Sequence, residues 1–177
     1  WAHLNSTPIV LGSAIQYRPG KVLMSGGGAA FLSAANGKTA VLDTNVTPLT
    51  WRPTASMSAG RYMHNLVMLP TGRVLAVGGA STLDQQSTTT GPLSLELWDP
   101  NTEAWATLAA MAIPRMYHST ALLLPDGRVL AAGGGRNGNS VNQFSFKRTN
   151  VKRTTAKSYV CLPIILAVKI NINQIFK

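Results

Sequence analysis

The chain repeats itself, and that narrows its fold more than any other feature. The strings "YRPGKVLMSGGG" at residue 17, "LPTGRVLAVGGA" at 69 and "LPDGRVLAAGGG" at 124 share one pattern: Gly, a basic residue, Val, Leu, two residues, Gly, Gly. The turn glycines are Gly20, Gly72 and Gly127, so the steps are 52 and 55 residues. A second element recurs between them: "AVLDTNVTPLTWRPTASM" ends at Met57 and "LELWDPNTEAWATLAAM" at Met111, each with an aspartate, a turn, Trp51 or Trp105, and a methionine six residues later. A supersecondary unit of this size cannot bury its apolar face alone, so the copies must stack on one another.

Each unit can be read locally as strands. Residues 64–69 and 118–124 are largely aliphatic and run into "PTG" or "PDG". Proline presets one dihedral and glycine accepts a positive φ, so the following "RVLAV" or "RVLAA" folds back as a paired inner strand. The doublets Gly78-Gly79 and Gly133-Gly134 end that strand where backbones crowd. The polar "STLDQQSTTT" after Ala80 predicts an exposed loop, and Trp51 and Trp105 are expected to pack between neighbouring units. Asp99 and Asp126 read as turn formers rather than acid-base groups. "GGGRNGN" reads as a turn and not a nucleotide cradle, because no helix start follows it.

Composition agrees: 45 % apolar residues, with 16 Gly and 10 Pro, suit a turn-rich all-β fold. The net charge of +10 misleads, because residues 1–140 hold nine Lys or Arg against six Asp or Glu, while residues 141–177 hold seven bases and no acid. The basicity belongs to a solvated tail, and we expect no nucleic-acid partner. Residues 159–168 are apolar but far short of the roughly 20 needed to cross a bilayer as a helix, so we expect no membrane span. The single cysteine, Cys161, has no partner for an intramolecular disulfide or a spaced metal pair. Trp1 opens the chain with neither a charged n-region nor an apolar h-region, so no signal peptide is expected within it.

A period near 50 with a glycine doublet and an aromatic in each unit resembles kelch repeats across residues 14–135, each unit being one four-stranded blade of a β-propeller. Closing a propeller takes about four to eight blades, and three turn units fall short. We therefore expect an all-β, partial kelch-type propeller of two to three blades, not closed, over residues 1–144. Residues 145–177 are expected to be a basic tail, unrelated or disordered and not native to the fold. The terminal blades should present apolar faces and unpaired edges.

Arg61 and His64 recur 54 residues later as Arg115 and His118. For His64 a structural role is expected, since a strand histidine ordinarily finds a hydrogen-bond partner. The third unit differs: Tyr117 precedes the histidine, seven steps separate His118 from Pro125 against six from His64 to Pro70, and a triple glycine follows. The string "YHSTALLLPDGRVLAAGGG" resembles the last propeller repeat of the galactose oxidase and glyoxal oxidase family of copper radical oxidases. The resemblance runs back through "RYMHNLVMLPTGRVLAVGG" and "WDPNTEAW" to about residue 14, and forward through "RNGNSVNQF" to about residue 144.

That resemblance implies a copper site in which Tyr117 is the axial, catalytic tyrosine and His118 an equatorial ligand. Imidazole and phenolate suit tetragonal Cu(II). Adjacent residues of a regular strand point to opposite faces, so two such ligands require a strand end or a bulge. It also implies a secreted or cell-surface parent that oxidises a small primary alcohol, sugar or aldehyde with O2 and releases H2O2. In that family copper takes one electron and a cysteine-linked tyrosine radical the other. The crosslink lies in earlier blades and a second histidine in a following Ig-like domain, and neither has a match here, so this chain alone is expected to be inactive. The alternative is a kelch protein-binding module without catalysis, in which Tyr117 and His118 are ordinary strand residues.

Overall fold

The computed structural model describes residues 11–28, 34–82, 91–116, 118–134, 136–137, 141–142 and 168–170. The first blade is β1 (Ser13–Arg18), β2 (Lys21–Ser25), β3 (Thr39–Asp43) and β4 (Trp51–Thr54), antiparallel in chain order. The second repeats it with β5 (Asn65–Met68), β6 (Val74–Val77), β7 (Ser94–Asp99) and β8 (Ala104–Ala110). In the third, β9 (Ser119–Leu123) pairs with β10 (Val129–Gly133). A short ladder of β11 (Arg136–Asn137) and β12 (Val141–Asn142) comes next. Within the stretch read as a tail, β13 (Val168–Ile170) lies antiparallel on the free edge of β10. The sheets do not close into a ring.

The turns form as their residues require. Gly20, Gly72 and Gly127 have φ of 72°, 78° and 81°, left-handed values that cost glycine nothing. Leu69 N donates to Arg73 O and Gly72 N to Leu69 O; Leu124 N to Arg128 O and Gly127 N to Leu124 O repeat the pattern one blade on. Contacts run from β1 to β5 and from β5 to β9. The first strand of each blade is therefore the innermost. The "RVLAV" strands, expected on the inside, stand second, because the touching edges of stacked wedges face the axis.

Blade two is buried on both faces, which explains why "LVML" and "VLAV" are continuous apolar runs rather than alternating ones. Leu66, Met68, Val74, Trp98 and Trp105 meet Ile15, Tyr17, Leu23 and Val41 of blade one. Val67, Leu69, Leu75, Val77, Leu95 and Leu97 meet Val129, Ala131 and Ala121 of blade three. Tyr17 and Trp98 cross edge to face at 4.8 Å, and Trp105 Nε1 donates to Thr39 Oγ1 at 3.0 Å. Trp105 thus packs between blades as expected. Trp51 instead lines an open groove of about 510 Å³ with Tyr17, Arg52 and Glu103. On the far face of blade three Leu122 is 55 % exposed, an apolar face of the kind expected at an end blade.

Glu96, with a fully buried side chain, locks the connection between blades one and two. Its carboxylate accepts from Ser58 N (2.7 Å), Ser58 Oγ (2.9 Å) and Ala59 N (3.3 Å), and from Arg61 Nη2 (3.0 Å) and Nε (3.3 Å). Arg61 spends its other donors on the backbone, Nη1 on Gly78 O (2.8 Å) and Nη2 on Ser94 O (2.6 Å). A buried charge is tolerated only when satisfied in this way. Replacing Glu96 by Ala, which strands the guanidinium, is expected to cost ~3–5 kcal/mol in urea unfolding. Arg52→Ala, which removes an exposed pair with Glu103 (2.8 Å), should cost no more than about 1 kcal/mol. Similar losses at the two sites would contradict the assignment.

Candidate metal centre

Three non-glycine residues ahead of the inner strands hold the left-handed conformation: Leu11 (φ 57°), Met63 (φ 50°) and His118 (φ 62°). Each lies nine residues before its turn glycine: Leu11 to Gly20, Met63 to Gly72, His118 to Gly127. The bend is a constant of the repeat, set by the length of the inner hairpin. A second constant lies upstream. Arg61 Nη1 donates to Gly78 O, and Arg115 Nη1 donates to Gly133 O at 2.9 Å, each glycine standing six residues after its turn glycine.

Between these two fixed points blade three has one residue more. Arg61, Tyr62, Met63 becomes Arg115, Met116, Tyr117, His118. Tyr62 and Met116 are both buried, at 0 % and 6 % exposure, and each sits against the second glycine of its doublet, Gly79 or Gly134. By chain count the added residue is Tyr117, which lies outside the described residues.

The insertion moves the histidine by one position in the structural frame. His64 comes one residue after the bend of blade two, whereas His118 occupies the bend of blade three, so the position equivalent to His64 is Ser119. Aligning the two histidines by residue type, as the sequence invites, is off by one. His64 is 4 % exposed, with Nε2 2.9 Å from Ser25 Oγ of blade one, and its ring crowds Gly26. Any side chain at Gly26 would collide with it. Its expected structural role agrees with this placement. Burial, with the Arg61 charge adding to it, pushes its imidazole down to about 3. His118 is exposed at the strand end. Gly134 N donates to its carbonyl (3.3 Å) and Ser119 N to Met116 O (3.0 Å), closing the bend on either side.

The arrangement separates the two imidazoles: His118 stands at an exposed left-handed strand end, whereas the His64 ring is enclosed. Among the described residues no three His, Cys, Asp or Glu side chains gather where a metal could bind. Imidazole and phenol are donor types suited to Cu(II), and His118 and its sequence neighbour Tyr117 are of those types. The sequence carries the signal in the one-step-longer run from His118 to its turn; that count, followed through, identifies Ser119 as the structural replacement of His64.

Comparison with known proteins identifies the family. Residues 13–156 match the family described as the glyoxal oxidase N-terminus, extending past residue 144 where the quoted motifs stop. Galactose oxidase of Gibberella zeae is 32 % identical over 140 residues, 75 % of this chain and 21 % of that protein. The chain belongs to the galactose oxidase and glyoxal oxidase family. Aldehyde oxidase GLOX of Vitis pseudoreticulata is 48 % identical over 82 residues, 44 % of this chain and 16 % of that protein. A fungal alcohol oxidase of the AA5 family, solved in complex with copper, is 28 % identical with a TM-score of 0.66, covering 73 % of this chain and 28 % of that one. The chain thus spans 16 to 21 % of the length of these two curated copper radical oxidase relatives.

The burial of His64 should show in the pH dependence of stability. Because the folded His64 pKa lies below the ordinary 6.5, the unfolded chain binds the extra proton first. Its contribution is complete above about 6.5 and is lost as pH falls toward about 3, an effect on the order of a few kcal/mol. Urea unfolding between pH 7 and 4 should show this decline, and His64→Asn should flatten it. An unchanged slope in that variant would place the acid sensitivity elsewhere.

Proposed function

We propose that this chain contributes part of the copper centre of an oxidase that converts primary alcohols, sugars or aldehydes with O2 and releases H2O2. Tyr117 and His118 would hold the metal, and the remaining ligands and the radical cofactor come from outside these residues, in further blades and an Ig-like domain. The observation that carries the reading is the one-residue insertion that turns His118 out of the blade core and into an exposed bend, next to a tyrosine. The motif string and the copper-bound alcohol oxidase relative support it.

Copper, when bound, supplies the one-electron redox chemistry of such a site. His118 would offer a ring nitrogen from the exposed bend. The Tyr117 phenolate is suited to take the hydroxyl proton of an alcohol held beside it. For an alcohol the balance is RCH2OH + O2 giving RCHO + H2O2: the alcohol loses two electrons and two protons, one proton from its carbon and one from its hydroxyl, and dioxygen gains them all. A secreted setting, as in the parent family, is part of this proposal.

Metal analysis with a peroxidase-coupled assay tests it. In the complete polypeptide that contains these blades, His118→Ala should lose copper and lower peroxide formation by at least a hundredfold. Tyr117→Phe should lower it comparably. The 177-residue chain alone should hold no stoichiometric copper and release no peroxide. Peroxide production by the isolated chain, or full activity of His118→Ala, would overturn the proposal; a complete protein with neither copper nor turnover would favour a binding propeller.

A further inference from the structure

We propose that Asn65, on blade two, is a positioning residue for His118 on blade three, acting through Ser119; this rests on His118 being a metal ligand. Asn65 Nδ2 donates to Ser119 Oγ at 3.0 Å, and Ser119 Oγ in turn donates to Arg115 O at 3.4 Å. The relay begins on the neighbouring blade and ends on the anchored Arg115, so it ties both ends of the segment that contains Tyr117 and His118. Ser119 N to Met116 O and Gly134 N to His118 O complete the frame from within blade three.

The position has a counterpart. Ser13 Oγ donates to His64 O across the first pair of blades. Counted from the turn glycines, Ser13 and Asn65 are equivalent, at seven residues before Gly20 and Gly72, and their acceptors His64 and Ser119 are equivalent at eight before Gly72 and Gly127. Each inner strand therefore hands a hydrogen bond to the start of the next. In blade three the residue receiving it adjoins the candidate ligand, so the blade contact also sets the direction of the imidazole. A non-glycine residue stays left-handed only where its surroundings over-determine it, and blade two supplies two members of this frame: Gly79 N, which donates to Arg115 O at 2.7 Å, and Asn65, the one of the two that reaches Ser119 through a side chain. Direction matters: Ser119 Oγ gives its proton to Arg115 O, so residue 65 must donate. An aspartate there has the same shape and cannot.

The test uses the full chain in the absence of metal, with amide hydrogen exchange read at Ser119 and Thr120. Asn65→Asp and Ser119→Ala should each speed exchange there by tenfold or more while the Val74–Val77 amides keep their rates, and Ser119→Thr, which retains the hydroxyl, should stay within about threefold. Unchanged exchange at 119–120 in both disruptive variants would overturn the proposal, as would equal acceleration everywhere. If Asn65→Asp does not fold, the Ser119→Ala and Ser119→Thr pair decides alone. Cu(II) paramagnetic resonance on the complete polypeptide separates the two layers: Asn65→Asp should shift the copper hyperfine splitting without losing metal. A spectrum that His118→Ala leaves untouched would refute the ligand reading while leaving the exchange result standing.

Discussion

The left-handed bend ahead of each inner strand is the constraint on which the rest of the structure depends. A non-glycine residue held there costs about 1–2 kcal/mol, yet Leu11, Met63 and His118 all adopt it at the same distance from a turn glycine. The hairpin length fixes where the chain must turn, and the residue type has to comply. In blade two the residue after the bend, His64, enters the space between blades; in blade three the residue at the bend, His118, is exposed. His64 and His118 are chemically identical side chains given opposite environments by one step of chain.

The blades are held by two separate kinds of contact. Apolar side chains on both faces of blade two bury most of the area, each fully buried aliphatic or aromatic residue contributing about 1.5–3 kcal/mol. That contribution has little direction. Angular registration comes from polar contacts: Glu96 gathering the Ser58–Arg61 connection, Trp105 on Thr39, and the relay from Ser13 and Asn65 along the inner strands. A site assembled from several blades needs this second kind of contact, since a ligand displaced by an ångström loses its geometry.

Much of this was legible in the sequence. The turn glycines, the paired strands and the unusual third unit emerge from the spacing of Gly, Pro and aliphatic residues, because those residues act locally. Glu96 was not legible: an acid between the two leucines of "LEL" has no local reason to be there, and its partners lie 35 to 38 residues away in the chain. Trp98 was likewise hidden, since only the packed sheets show it enclosed with Tyr17, and the repeat gave no warning that Trp51 lines a groove while its peer Trp105 packs between blades. The equivalence of His64 with Ser119 escaped because matching by residue type favours histidine with histidine, whereas the backbone counts from the turn. Asn65 carries no motif at all, and its significance appears only once blade three is beside it.

One inserted residue turns His118 out of the blade core while His64 stays within it, and on this the account stands. Acylation of the folded chain by diethyl pyrocarbonate at neutral pH, with peptide mass spectrometry, reads the difference directly. Rapid modification of His118 is predicted, with His64 protected by at least an order of magnitude until the chain is unfolded. Equal rates at the two rings, or faster reaction at His64, would contradict it.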